Sequence, residues 1–143
     1  MDIEEKIIKN FSFNNKFIGD DCAYLKDTKQ LISTDSITEN THFDLKKFTA
    51  MQIAHRLFVS NYSDIQSSGG EPKYALFNIS FPKRKSLFAL SISRHLKNML
   101  KKNHISIIGG DTTKSRDIFL SLTLISKKID RSQVLLRSKS KVN

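Results

Sequence analysis

The sequence contains few of the residues that define several large classes of protein. Its 143 residues include one cysteine, two prolines, five glycines and no tryptophan. The single cysteine, Cys22, excludes an internal disulfide framework and fits a reducing compartment, so we expect a cytoplasmic protein. No apolar run reaches the roughly 18 residues that a membrane span needs, so no membrane partner is predicted.

Several common cofactor and catalytic patterns are also missing. The four histidines and the one cysteine lack the spacing of zinc ligands. Neither the Walker A motif nor the Gly-x-Gly-x-x-Gly motif, which hold nucleotide phosphates on a glycine-rich loop, occurs in the chain. We identify no nucleophilic dyad or triad, so no residue is predicted to act by covalent catalysis.

Positive charge exceeds negative charge, which raises the question of a nucleic-acid partner. The chain has 24 Lys and Arg residues against 14 Asp and Glu, a formal net charge of +10. The excess lies in residues 83–102, which include a predicted helix with a solvated charged face, and in residues 127–141. Base-reading motifs and interleaved aromatic residues are absent, so a basic nucleic-acid-binding module is the weaker alternative.

The rest of the composition is that of an ordinary globular domain, with 38% apolar and 27% charged residues. Apolar periodicity predicts helices at residues 2–10, from the N-cap Thr49 to Gly69, and at 86–102. Strands are predicted at residues 31–34, 74–81, 105–108 and 118–125. The apolar positions of the two longer helices include Met51, Leu87 and Leu90. This order predicts an α+β fold, a mixed β-sheet with helices packed on one face.

Aspartates beside small residues carry the clearest functional signal. They are Asp20, Asp21, Asp35, Asp64 and Asp111. One aspartate beside Gly or Ser is ordinary turn chemistry, but these follow apolar segments that must share one sheet. Carboxylates are hard oxygen ligands for Mg²⁺, and Ser33 and Thr34 can add further oxygens. We therefore expect Asp21, Asp35, Asp64 and Asp111 to converge on one side of the sheet around shared Mg²⁺ ions.

Ordered motifs connect these residues to a known family. The motifs are Gly19-Asp20-Asp21-Cys22-Ala23, Ser33-Thr34-Asp35, Asn40-Thr41-His42-Phe43, Asn61-Tyr62-Ser63-Asp64, Gly69-Gly70-Glu71-Pro72 and Ile108-Gly109-Gly110-Asp111-Thr112-Thr113. In order and spacing they resemble the thiamine-monophosphate kinases, which share a superfamily with aminoimidazole ribonucleotide synthetase and selenophosphate synthetase. The resemblance covers about residues 15–138 and implies a fold like the N-terminal domain of aminoimidazole ribonucleotide synthetase.

The resemblance also implies roles for individual residues. The implied Mg²⁺ ligands are Asp21, Ser33, Thr34, Asp35, Asp64 and Asp111. Gly110, Asp111 and Arg137 would contact ATP, and His42 would contact thiamine monophosphate. Asp20 precedes the usual ligand, and its role is less defined. The implied activity is the ATP-dependent phosphorylation of thiamine monophosphate to thiamine diphosphate.

The same resemblance implies how the chain is organised. Residues 1–137 would form the ATP- and Mg²⁺-binding N-terminal domain, residues 138–143 a truncated tail, and the C-terminal domain of the family would be absent. The implied partners are ATP, thiamine monophosphate, a second copy paired through the sheet and a separate C-terminal half. The alternative to a truncated kinase is a non-catalytic remnant that keeps nucleotide binding and the dimerising sheet.

Overall fold

The computed structural model describes residues 2–11 and 18–135. Its helices are α1 (Ile3–Phe11), α2 (Ala50–Ser67) and α3 (Ser86–Lys102). Its strands are β1 (Ala23–Leu25), β2 (Gln30–Thr38), β3 (Pro72–Phe81), β4 (Ser106–Lys114) and β5 (Phe119–Ser126). Short 3₁₀ turns cover Lys83–Lys85 and Arg131–Gln133. No helix among the described residues is both long and apolar enough to span a membrane.

One five-stranded sheet organises the chain, with the strand order β1-β2-β5-β3-β4. β3 and β4 are parallel and are joined by α3, whereas the other neighbouring pairs are antiparallel. α2 packs on β2 and β5, and α3 packs on α2. The predicted α+β fold with a mixed sheet and helices on one face is therefore confirmed.

Helix α2 begins where the sequence predicts. The Thr49 side chain accepts the backbone N–H of Gln52, and the Gln52 side chain accepts the backbone N–H of Thr49, which makes a complete capping box. Ile53, Ala54 and Leu57 are almost completely buried against the sheet. Met51 was predicted with this apolar set but is 57% exposed, because it lies on the outer side of the first turn.

Helix α3 has the predicted bounds but turns a different side toward the core. Its buried residues are Ala89, Ile92, Leu96 and Leu100. Leu87 and Leu90, which the apolar pattern includes, are 84% and 44% exposed. The small Ala89 lies on the buried side and is 1% exposed.

Two strands extend beyond the predicted apolar segments. β2 continues through a polar stretch to Thr38, where each residue still pairs with β5. β4 begins at Ser106 and runs through both glycines to Lys114. All of β4 is exposed, because it is the outermost strand and α3 covers little of it. Pairing with a neighbour, rather than apolar content, keeps these segments extended.

The sheet has a helix face, covered by α2 and α3, and an open face. Leu122 of β5 is completely buried on the helix face. On the open face, hydroxyl groups pair across strands: Thr34 Oγ1 lies 2.8 Å from Thr123 Oγ1, and Ser80 Oγ lies 2.6 Å from Thr113 Oγ1. This face combines polar pairs with apolar side chains, and α2 and α3 both lie on the other face.

Candidate metal and phosphate site

A groove between α2 and β2 brings several of the predicted residues together. Three residues of α2 follow at intervals of four, Arg56, Ser60 and Asp64, so they lie above one another on one side of the helix. The contacts across the groove are Arg56 Nη1 donating to the His42 carbonyl, Ser60 Oγ donating to Asp35 Oδ2 at 2.6 Å, and Ser33 Oγ donating to Asp64 Oδ2 at 3.5 Å. We call this region the site groove.

The acidic end of the site groove is electrostatically strained. Burial raises the pKa of Asp64 above its usual value, and the neighbouring carboxylates of Asp35 and Asp21 raise it further. The hydrogen bond from Ser33 opposes this shift. Neither Asp35 nor Asp64 forms an ion pair with a lysine or arginine of the described chain. Three carboxylates, those of Asp21, Asp35 and Asp64, therefore lie close enough at this end of the groove for their charges to interact.

Cys22 lies beneath this end of the groove. Its side chain is 3% exposed, with Ser68 and Ser33 within hydrogen-bonding reach. Burial raises the pKa of the thiol, and the charge of Asp64 adds to the rise. A buried neutral thiol is a packing group, so Cys22 supports the groove without supplying a reactive thiolate.

His42 occupies a tight turn at the other end of the groove. Its backbone N–H donates to the Thr38 carbonyl at 2.8 Å, and its Nδ1 accepts the Thr38 N–H at 3.0 Å. Asn40 holds a left-handed backbone with φ of 64°, and its N–H donates to the Phe43 carbonyl at 2.8 Å. His42 is thus an exposed side chain on a well-bonded turn.

A buried amide fixes α2 on the sheet. Asn61 is completely buried, and its Nδ2 donates to the carbonyl of Leu122 in β5. Its Oδ1 has no hydrogen-bond partner among the described residues. The asparagine of the Asn-x-Ser-Asp motif therefore faces the sheet, while the following Asp64 faces the groove.

Not all predicted ligands converge in one copy of the chain. Asp111 pairs in register with Asn78 of β3, which places it on the open face at the far edge of the sheet. Thr34 also turns its side chain to the open face, where it meets Thr123. Strand alternation separates both from the groove on the helix face. The expectation that Asp111 shares one side of the sheet with Asp21, Asp35 and Asp64 is wrong for a single chain.

Gly110 is required by the backbone itself. Its φ is +150°, and a Cβ added there would lie 1.8 Å from the carbonyl oxygen of Phe77. The glycine therefore permits the close pairing of β4 with β3, independently of any nucleotide contact. Arg137 is also predicted to contact ATP, but it lies outside the described residues.

The groove offers the oxygen donors that Mg²⁺ prefers. Carboxylates and a serine hydroxyl are hard ligands, and a divalent cation would offset the repulsion between the carboxylates around Asp64. Within the described part of the chain, no three metal-binding side chains already lie close enough together to hold an ion. The residues fit Mg²⁺ chemically, as a cluster that an ion and a phosphate ligand would draw together.

Sequence motifs alone did not identify two residues of the groove. Arg56 and Ser60 belong to no motif, yet they contact His42 and Asp35 directly. Counting back from Asp64 in steps of four would have found both, because that spacing repeats on one side of a helix.

Fold and site together define a class of protein. The mixed sheet with two helices on one face and an acidic groove fits the family described as "AIR synthase related protein, N-terminal domain", whose sequence profile matches residues 19–127. The chain belongs to this family.

Particular relatives within the family are thiamine-monophosphate kinases. The protein of that name from Buchnera aphidicola subsp. Acyrthosiphon pisum is 34% identical over 131 residues, which are 89% of this chain and 39% of that protein. The solved structure described as "AaThiL complexed with AMPPCP and TMP" aligns with a TM-score of 0.76 and 26% identity, over 88% of this chain and 43% of that one. The thiamine monophosphate kinase from Aquifex aeolicus aligns with a TM-score of 0.78, covering 94% of this chain and 46% of that one.

The aligned region is only part of each relative. This chain spans 39% of the Buchnera protein's length and 46% of the Aquifex chain. For this chain, the activity and ligands of those longer proteins are a proposal.

Proposed function

We propose that this chain forms the Mg²⁺- and ATP-binding N-terminal part of a thiamine-monophosphate kinase, in the cytoplasm as its lone thiol indicates. The observation that carries the proposal is the site groove, where Asp64 lies close enough to Asp35 and Asp21 for their charges to raise its pKa. The similarity to a protein solved with AMPPCP and TMP supports a nucleotide and a phosphate ester as the ligands.

In this proposal Asp21, Asp35 and Asp64 hold Mg²⁺, with Ser33 as a further oxygen donor. Magnesium would supply charge neutralisation between two anionic reactants. The chain's own contribution is to hold both phosphates in line, since phosphoryl transfer depends on alignment and electrostatic stabilisation. The accepting phosphate oxygen is already anionic near neutral pH, so no general base is needed.

Asp111 and Thr34 enter the proposal through a second copy of the chain. Their open face carries the partly exposed apolar residues Tyr74 and Phe119, and β4 is an edge strand of the sheet that the described residues form. Exposed sheet faces and edges favour pairing with another sheet. We propose a homodimer through this face, with Asp111 and Thr34 at the junction between the copies. The ATP contacts implied for Gly110 and Asp111 would then belong to this junction, on the other side of the sheet from the site groove.

Turnover in this proposal requires more than this segment. We propose that a C-terminal half completes the thiamine monophosphate site, because this chain spans only 39% and 46% of two relatives. Loss of alignment alone lowers rates by many orders of magnitude, so we expect the 143-residue chain alone to form little or no thiamine diphosphate. A coupled assay for ADP release, with and without thiamine monophosphate, measures this directly.

Thermal unfolding with Mg²⁺ and a non-hydrolysable ATP analogue tests the metal site. Ligands that bind only the folded state raise the melting temperature, so we expect Mg²⁺ with the analogue to stabilise the wild-type chain. Asp64→Ala should abolish this gain. Asp27→Ala removes the same charge from an exposed turn between β1 and β2 and should leave the gain intact.

Two results would contradict the proposal. One is a melting temperature that does not respond to millimolar Mg²⁺ and nucleotide. The other is salt-sensitive binding to nucleic acid that Asp64→Ala leaves unchanged, which would favour a basic nucleic-acid-binding module.

Sedimentation tests the proposed dimer. Thr123→Arg places a bulky cation at the centre of the open face and should convert dimers to monomers, whereas Thr123→Ser keeps the hydroxyl bonded to Thr34 and should not. A wild-type chain that is monomeric at tens of micromolar would refute the dimer.

A further inference from the structure

We propose that Arg56 is a positioning residue that holds His42 for a substrate phosphate and shares that phosphate through its remaining guanidinium donors. This inference rests on the proposed function and adds a residue that no motif contains. It follows from the contacts of Arg56, from the tautomer of His42 and from their place along α2.

The tautomer of His42 is fixed by a backbone group. Nδ1 accepts the Thr38 N–H at 3.0 Å, so it cannot carry a proton in this arrangement. In the neutral ring the proton therefore lies on Nε2, which becomes a hydrogen-bond donor. An outward-facing N–H is suited to a phosphate oxygen and not to a metal ion.

Arg56 secures the same turn from the helix. Its Nη1 donates to the His42 carbonyl, while Thr38 bonds both the backbone and the ring of His42. The turn is thus tied to β2 on one side and to α2 on the other. Because His42 cannot shift without breaking one of these bonds, its Nε2 has a defined direction.

The guanidinium of Arg56 keeps donors for a ligand. It is exposed, and within the described chain it pairs with no carboxylate. A guanidinium has several N–H donors in a planar fork that matches the oxygens of a phosphate. An exposed arginine that is anchored by a neutral carbonyl keeps most of this capacity.

The spacing along α2 puts Arg56 and the proposed Mg²⁺ ligands on the same side of the helix. Residues four apart are separated by about 6 Å along a helix axis, so Arg56 lies roughly 12 Å from Asp64, with Ser60 between them. Asp35, which Ser60 contacts, belongs to the acidic end. An anion held by Arg56 and His42 would therefore lie about one helical turn from the Ser60–Asp35 contact and about two turns from Asp64, on the same side of α2 as the proposed Mg²⁺ ligands.

Side-chain ¹⁵N NMR of His42 provides a readout that fold stability alone would not change. The wild-type chain should show Nε2 protonated and Nδ1 as acceptor. Arg56→Met removes the donors and keeps the aliphatic stem, so Thr38 alone holds the turn. The Nδ1 and Nε2 signals should then move part of the way toward the values of a tautomer mixture. Arg56→Lys should keep the wild-type signature, because an ammonium can still donate to the His42 carbonyl.

Calorimetry with thiamine monophosphate, in the presence of Mg²⁺, a non-hydrolysable ATP analogue and a separately expressed C-terminal half, measures the substrate side in this and the following comparisons. Arg56→Met should weaken binding about tenfold or more, as expected for a lost charge-assisted hydrogen bond, and Arg56→Lys should restore part of it. Arg94→Met removes an exposed arginine from α3 and serves as the matched control. It should change neither the tautomer nor the affinity.

The outcomes separate this inference from the proposed function. An Arg56→Met chain with wild-type tautomer and wild-type affinity would overturn the inference, as would equal losses in Arg94→Met. A wild-type chain that binds Mg²⁺-nucleotide but not thiamine monophosphate would overturn the substrate role of Arg56. A wild-type chain without Mg²⁺-dependent nucleotide binding would contradict the proposed function, while the ligand-free NMR signature would still decide the positioning role.

Discussion

Replacing one glycine of the Gly109-Gly110 pair should damage the fold far more than replacing the other. In Gly110→Ala the new methyl group would lie 1.8 Å from the carbonyl oxygen of Phe77, about half of a normal contact distance. The glycine also has φ of +150°, a backbone conformation that residues with a side chain rarely adopt. In Gly109→Ala the nearest atom is Leu76 Cδ2 at 3.1 Å, the end of a side chain that can move.

These contacts allow the magnitude to be worked out. The unfavourable backbone conformation at Gly110 costs about 1–3 kcal/mol. Relief of the overlap requires β4 to separate from β3 around Phe77, and each lost ladder hydrogen bond costs about 1 kcal/mol. We therefore expect Gly110→Ala to lower the free energy of unfolding by about 3–5 kcal/mol, and Gly109→Ala by about 1 kcal/mol or less.

Chemical and thermal denaturation of the two variants provides the assay. For a domain of this size, about 1 kcal/mol shifts the melting temperature by roughly 2–4 °C, so Gly110→Ala should melt about 10 °C below the wild type. Similar, small losses in both variants would refute the steric argument. They would show that β4 is held too loosely for its glycine to matter to the fold.

Three further predictions concern other parts of the chain. Asp64→Asn should stabilise the unliganded chain at neutral pH, because the raised pKa of Asp64 makes its ionised form unfavourable in the folded state. The advantage should vanish as the pH falls below the usual carboxyl pKa, where the wild-type group is protonated. An advantage that persists there in denaturant titrations would contradict this. Lys85→Met should lower the free energy of unfolding by about 3–5 kcal/mol, because it leaves the Glu39 carboxylate, which is 6% exposed, without its cation. Urea titration measures this loss. A loss below about 1 kcal/mol would show that Glu39 is not held as a buried ion. Thr49→Ala should lower the free energy of unfolding by about 1 kcal/mol, because the capping box with Gln52 is lost. Thermal melting followed by circular dichroism measures this, and an unchanged melting curve would contradict it.

The helices and most strands could be predicted because their signals are local. The N-cap Thr49 and the alternating residues of β3 are readable within a short window of sequence. The polar end of β2 is not readable in this way, because residues such as Ser36 stay extended only by pairing with β5, which lies far along the chain. Sequence windows contain no information about a partner that distant.

The position of Asp111 shows a second limit. Its motif predicts a ligand, but the face of the sheet that it occupies depends on whether it is an odd or an even position along the strand. The pairing of β4 with β3 has an irregularity between Ala75 and Leu76. Parity cannot be counted through such an irregularity from sequence alone. Asp64 was placed correctly beside Asp35 because each lies in a regular element whose buried side is clear.

The buried amide of Asn61 sets the alignment of the whole groove. A helix that slips by one residue moves about 1.5 Å along its axis and turns about 100° around it. Such a slip would carry Arg56, Ser60 and Asp64 away from their partners on the β2 side at the same moment. The hydrogen bond from Asn61 to the Leu122 carbonyl therefore helps to set the register of α2, and with it the positions at which all three side chains meet their partners.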